Sequence, residues 1–292
     1  MRKFILLLVS AFFTMGMVSM MLTNEETIAK TKTKEIMLAH NQPTEHPVHK
    51  SLKIFKDRLE KESHGQLKVN IYPNGQLGSE REAIEMTQTN AIQMTKVSAG
   101  ALESFSPTYS LFNMPYLFES EENYRHVMKR KNVQDAFFKS TGDQGFLGIT
   151  YYDAGMRNIY TKDKEIKDNK DLKGLKIRVQ PGKTSVDLIK SLGGTPTPMD
   201  YGEVYTAMQS GVIDAADYST KKHEVIWDKA VSDSKKTATE KMDVKFHDVD
   251  KSTFKATSKP LQDEFKNNPD TKADYKLIEK EEQRYEKSKA NH

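Results

Sequence analysis

Several residue types and patterns are missing from this 292-residue chain, and each absence excludes a class of function. Cysteine is absent, which excludes disulfides, thiolate metal sites, thiol nucleophiles and lipid attachment through cysteine. Neither charge predominates, since 45 Lys and Arg stand against 41 interspersed Asp and Glu, so we expect no nucleic-acid partner. The chain also lacks the G-x-S-x-G elbow of a hydrolase, and it has neither internal repeats nor low-complexity tracts.

The N-terminus is the one place with a long apolar run. Arg2 and Lys3 precede an uncharged stretch at residues 4–22, and the polar segment "TNEETIAKTKTK" follows. This pattern predicts an export signal with a cleavage site after Ala29, although the run is also long enough for an uncleaved anchor. We therefore expect the rest of the chain in the periplasm or at the outer face of the cytoplasmic membrane.

Apolar periodicity predicts an α/β protein from Glu35 onward. Ser79 and Glu82 form a capping-box pattern that opens one of the helices. Strands are predicted at 35–40, 66–72, 91–97, 145–152, 156–161, 175–179 and 211–217, with helices at about 48–64, 80–89, 121–139, 185–192 and 201–210. "GGTPTP" (193–198) is predicted to be a loop, and the lysine-rich residues after Thr220 mostly helical, with a strand and turn at 242–250.

Arg178 stands out because it lies inside the β-branched strand "LKIRV". A buried arginine must meet an anion, which is either a protein carboxylate or a ligand. Ligands of open α/β sheets bind beyond the carboxyl ends of strands, and a guanidinium there suits bidentate capture of a carboxylate. We expect Arg178 to reach an interlobe cleft instead of a protein carboxylate, with Arg157 as a second donor. Pairing with a structural Asp or Glu is the alternative.

The ordered motifs "YPNGQLGSERE", "LKGLKIRV", "GGTPTPM" and "YGEVYTAMQSGVIDAAD" resemble the extracytoplasmic solute-binding proteins of tripartite ATP-independent periplasmic (TRAP) transporters, DctP type. The resemblance runs from about residue 35 to 225. It implies an α/β, two-lobed periplasmic-binding-protein-like fold with a long connecting helix. It also implies a monomer without catalytic residues, cofactor or metal, which binds a carboxylate and delivers it to TRAP membrane subunits.

The resemblance also implies which residues bind the ligand. The arginine of the K-I-R-V strand is the principal carboxylate clamp of the family, which corresponds to Arg178, and the arginine of the G-x-R segment that assists it corresponds to Arg157. Tyr201, after "PTPM", would line the pocket. Further ligand-binding positions are Ser98 after the third strand, and His40 and Asn41 in the loop over the cleft.

One departure from the family pattern concerns the end of "GVIDAADYS". Asp217 stands where the family usually has glutamate, and Tyr218 stands where it has a ligand-binding asparagine. A phenol can donate one hydrogen bond but cannot present the paired donor and acceptor of an amide. Both residues are expected in the ligand site, and Tyr218 predicts a different preferred acid.

A second departure is an apparent gap of about fifty residues after Val225, judged against the usual size of two-lobed chains. It predicts that the first lobe is one strand short, with an unprotected sheet edge. The expected division is a signal peptide or anchor at 1–29, lobe 1 at 30–153, lobe 2 at 154–225, and a helical segment packing on the lobes at 226–292. A truncated, binding-defective family member or a membrane-anchored scaffold is the alternative function.

A metal site is the remaining alternative for the loop after the first strand. His40, Glu45, His46 and His49 cluster there, and imidazole and carboxylate groups suit zinc. Their spacing does not form the H-E-x-x-H pair, however, and a polar loop entering a helix explains them equally well. We therefore expect no metal.

Overall fold

The computed structural model describes residues 33–161, 164–220 and 249–290. The predicted export signal at 1–29 lies outside these residues, and so does nearly all of the strand and turn predicted at 242–250. Among the described residues, no helix combines the length and apolar character needed to span a bilayer.

The first sheet contains three parallel strands in the order β2-β1-β3. Its strands are β1 (Lys34–His40), β2 (Leu67–Tyr72) and β3 (Met94–Lys96), and its helices are α1 (Pro47–Glu62) and α2 (Glu80–Gln88). The sheet confirms the predicted βαβαβ order, although β3 is shorter than expected. The predicted capping box of Ser79 and Glu82 is present at the start of α2.

The second sheet has the order β4-β7-β5-β6, and only its β4 edge is antiparallel. Its strands are β4 (Met156–Thr161), β5 (Lys176–Val179), β6 (Thr195–Pro198) and β7 (Ala215–Thr220). Helix α6 (Lys183–Ser191) follows β5, and α7 (Val204–Gln209) precedes β7. The core beneath this sheet includes Ile177, Val179 and Ile189, which are all buried.

Strand β6 corrects the prediction that "GGTPTP" is a loop. Thr195–Pro198 pairs in parallel with β5 at the edge of the second sheet. Proline lacks the amide hydrogen that an interior strand needs, so a strand with two prolines is tolerated at an edge. The backbone N–H of Thr195 donates to Leu175 O (2.8 Å) and that of Met199 donates to Val179 O (3.2 Å).

Helices form most of the chain segment between β3 and β4, and also the described part of the C-terminal third. They are α3 (Ala99–Leu102), a 3-10 helix (Pro107–Asn113), α4 (Glu121–Met128), α5 (Lys131–Lys139), α8 (Lys251–Asn267) and α9 (Lys272–Ala290). Leu261 and Phe265 of α8 pack in one cluster with Phe137 of α5. Phe254, near the start of α8, packs instead in the core of the second sheet. Helix α8 therefore packs both against α5 and against the core of the second sheet.

The strand predicted at 145–152 is wrong for the described part of the chain. This segment belongs to neither sheet, and the apolar side chains of Leu147 and Ile149 are 62% and 70% exposed. A strand needs a neighbour to exchange backbone hydrogen bonds, and none of the described residues forms a ladder with it. The first sheet has three strands among these residues, and the missing strand in the first lobe stays a prediction.

Candidate functional site

The site is built around Arg178, at the carboxyl-terminal half of β5. Its strand neighbours Ile177 and Val179 are fully buried, and Arg178 itself is only 4% exposed. Its Nε donates a hydrogen bond to the carbonyl oxygen of Met199 at 3.2 Å. The chain between β6 and α7 thus fixes one edge of the guanidinium group.

Two arginines approach a single carboxylate here. Arg157 Nη1 donates to Asp217 Oδ2 at 2.5 Å, and Arg178 Nη1 lies 3.7 Å from Asp217 Oδ1. The expectation that Arg178 would not meet a protein carboxylate is therefore wrong. The strand order explains the contact, because β7 lies between β4 and β5 and pairs Ala216 with Arg178. A buried guanidinium requires an anion, and the adjacent Asp217 provides one.

The two Asp217 oxygens are not equally satisfied. Oδ2 accepts the hydrogen bond from Arg157, whereas Oδ1 is buried and has no hydrogen-bond partner in the described residues. Burial lowers the pKa of the Arg178 guanidinium, and the Asp217 carboxylate opposes that effect. The site therefore contains a buried oxygen acceptor beside a buried cation.

Arg157 is held by a polar network that sequence reasoning missed. Its Nη2 donates to Asn113 Oδ1 at 2.9 Å and to Gln180 Oε1. Asn113 Nδ2 in turn donates a hydrogen bond to Glu103 at 2.6 Å, and Glu103 accepts a second hydrogen bond from the backbone N–H of Thr184 at 3.2 Å. The network joins the 3-10 helix to the first turn of α6. The sequence feature that could have indicated this network is the polar Asn113 within the otherwise apolar segment "YSLFNMP".

Ser98 lies where β3 leads into α3. Its backbone N–H and its hydroxyl both donate to the buried Glu80, at 2.9 and 2.6 Å, and its Oγ caps α3 by accepting from Ala101 N. The charge of Glu80 acts on both Arg178 and Lys96, whose pKa burial lowers. Glu80 thus links the end of β3 electrostatically to Arg178.

His40, the last residue of β1, is hydrogen-bonded to His49 in the first turn of α1. Gln42 N–H donates to His40 Nδ1 (3.2 Å), so His40 Nε2 carries the proton that it shares with His49 Nδ1 at 3.0 Å. Burial and the nearby Lys96 hold the pKa of His40 and of His46 at about 4. In the described residues, no group of three or more His, Asp or Glu could hold a metal ion.

The other predicted site residues are only partly brought to this centre. His40 and Asn41 line a small depression together with Glu80 and Lys96, at the carboxyl ends of β1 and β3. Tyr201 is half-buried and opens a short 3-10 turn after Asp200, a residue whose pKa burial raises. Tyr218 lies in β7 opposite Asn158, and its side chain falls outside the described residues.

Comparison with known proteins shows similarity over most of the chain. Residues 38–289 match DctP, described as bacterial extracellular solute-binding protein, family 7. The protein YiiZ of Salmonella typhimurium is 33% identical over 276 residues, which cover 76% of this chain and 84% of that protein.

Two solved structures extend the similarity to the fold. A TRAP periplasmic solute-binding protein of Anaerococcus prevotii, with bound alpha/beta D-glucuronate, is 33% identical with a TM-score of 0.80, covering 87% of this chain and 99% of that chain. A corresponding protein of Xanthobacter autotrophicus, with bound β-D-galacturonate, is 28% identical with a TM-score of 0.73, covering 83% and 98%.

Proposed function

Because the chain belongs to family 7 of the bacterial extracellular solute-binding proteins, the DctP family, we propose that it binds a sugar acid and delivers it to the membrane subunits of a TRAP transporter. This family consists of solute-binding receptors, not of enzymes, and binding without catalysis is the proposed activity. The proposed location is the periplasm, which follows from the family and from the apolar N-terminal pattern.

The observation that supports acid binding is the incomplete pairing of Arg178. The residue is almost fully buried, yet in the described residues the only hydrogen bond of its side chain runs from Nε to Met199 O. Its Nη1 has Asp217 at 3.7 Å, which is beyond hydrogen-bonding distance. A ligand carboxylate placed against the two Nη groups would complete the guanidinium with a bidentate contact.

The remaining predicted residues receive supporting roles in this proposal. Arg157 positions Asp217 beside Arg178 and extends the positive charge of the site. Tyr201 forms an apolar wall and Tyr218 donates a hydrogen bond, while His40, Asn41 and Ser98 contribute from the first sheet. The lobes that close on the ligand are residues 30–153 and 154–225, with residues 226–292 packing on both.

A ligand screen by thermal unfolding tests the proposal on the exported chain. We expect uronates or aldonates to raise the melting temperature saturably, because a ligand at a hundred times its Kd adds about 2.7 kcal/mol of stability. Glucose, which lacks the carboxylate, is the matched control and should have no effect. If no mono- or dicarboxylate, sialic acid or sugar acid stabilises the protein, acid binding is excluded and the binding-defective alternative gains support.

A further inference from the structure

We propose that Asp217 restricts the ligand to an acid with a single carboxylate and a hydroxyl close to it. The inference rests on the proposed function, because it concerns the arginines that are proposed to receive the acid. The proposal gives Asp217 a role in ligand specificity, because its carboxylate already binds Arg157, one of the two arginines in the site.

The hydrogen bonds of Arg157 engage both of its Nη groups with protein acceptors. Its Nη1 donates to Asp217 Oδ2 at 2.5 Å, and its Nη2 donates to Asn113 and Gln180. Arg178, by contrast, keeps its Nη groups without a hydrogen bond in the described residues. Both Nη groups of Arg157 therefore already bind protein acceptors, whereas those of Arg178 do not within the described residues.

The charges lead to the same conclusion. With Asp217 in place, one ligand carboxylate balances the two guanidinium groups, and a second would add an uncompensated negative charge to a buried site. Glu80 and Asp200 also act electrostatically on Arg178, so the surroundings supply further negative charge. The site is thus suited to a monocarboxylate.

The unpaired oxygen of Asp217 defines the second requirement. Oδ1 is a buried acceptor without a partner in the described residues, and it lies 3.7 Å from the Arg178 Nη1 that would hold the ligand. A hydroxyl one or two carbons from the ligand carboxylate would reach Oδ1 and donate to it. The chemical class is therefore a hydroxylated monocarboxylic acid.

Matched acids separate these requirements in the wild-type protein. D-Erythronate and meso-tartrate differ in one terminal carboxylate, as do D-gluconate and D-glucarate, and butyrate lacks the hydroxyls of erythronate. By calorimetry we expect the monocarboxylate of each pair to bind at least about tenfold more tightly than the dicarboxylate, as expected for an uncompensated charge in a site of low dielectric constant. Erythronate should likewise exceed butyrate by about tenfold or more, because butyrate leaves Oδ1 unpaired.

The variant Asp217→Asn removes the charge while keeping the shape of the side chain. It should shift the preference toward the dicarboxylate of each pair by at least about tenfold, because a second carboxylate can then balance Arg157. Asp214→Asn is the matched control, since Asp214 lies just before the same strand and accepts from Lys176 N at 2.8 Å, away from the arginines. This control should leave the preference unchanged.

Each result supports or overturns the proposed role of Asp217. Dicarboxylates that bind the wild type as tightly as their monocarboxylate partners would overturn the inference, and so would butyrate binding as tightly as erythronate or an unchanged preference in a folded Asp217→Asn variant. If that variant does not fold, the wild-type comparison alone decides. Binding of an acid without the expected preference would refute only the role of Asp217, whereas binding of no acid would refute the proposed function as well.

Discussion

Replacing Arg178 by lysine keeps the positive charge of the site but removes the fork of the guanidinium group. Arg178 uses Nε to hold Met199 O at 3.2 Å, which leaves both Nη groups for a ligand carboxylate. The single ammonium group of lysine cannot occupy both places. The variant therefore loses at least one charge-assisted hydrogen bond to the ligand.

The expected loss of affinity follows from the loss of this one hydrogen bond. A hydrogen bond to a charged group contributes about 1.5–3 kcal/mol, which corresponds to a ten- to hundredfold loss of affinity at about 1.4 kcal/mol per decade. Calorimetric titration of wild type and Arg178→Lys with the sugar acid that binds most tightly measures this difference directly. Both proteins should be titrated well below their melting temperatures, because Arg178 is buried and the substitution also affects stability.

Arg130→Lys is a matched control for a general loss of arginine contacts. Arg130 Nε lies 3.2 Å from Glu281. This contact joins the start of α5 to α9 and is away from Asp217. Its substitution should leave the affinity unchanged. If Arg178→Lys binds the acid within about twofold of wild type, the carboxylate clamp has been assigned to the wrong residue.

Two further predictions concern stability against pH. Burial raises the pKa of Glu282 in α9 to about 7, so the folded protein retains a proton that the unfolded chain releases near pH 4.5, and stability should fall between these values. Glu282→Gln should remove this part of the fall in melting temperature from pH 5 to 8, and an unchanged profile would contradict the assignment. The pKa of His46 is lowered from 6.5 to about 4, so its contribution is present above pH 6.5 and is lost as the pH falls toward 4. His46→Asn keeps an acceptor for Val48 N–H and should make the acid-side loss shallower, whereas an equally steep loss would exclude His46 as its source.

The features that depend on neighbouring residues could be predicted from the sequence. The capping box of Ser79 and Glu82 spans four residues, and the apolar stripe of α1 from Val48 to Leu59 spans about three turns, so both are defined by local spacing. The motifs around Arg178 likewise sufficed to predict the family and the two-lobed fold, which the comparisons confirm. The roles of Tyr201, Tyr218, Ser98, His40 and Asn41 in binding stay predictions.

Contacts between distant segments were decided only by the tertiary structure. Asp217 meets Arg157 and Arg178 because β7 lies between β4 and β5, an order that local spacing does not determine. The alternation at 145–152 satisfies a strand pattern, yet a strand forms only when another segment exchanges hydrogen bonds with it. The sequence by itself thus determined most of the helices, most strands and the two arginines, whereas strand neighbours determined the partner of those arginines, since pairing joins residues far apart in the chain.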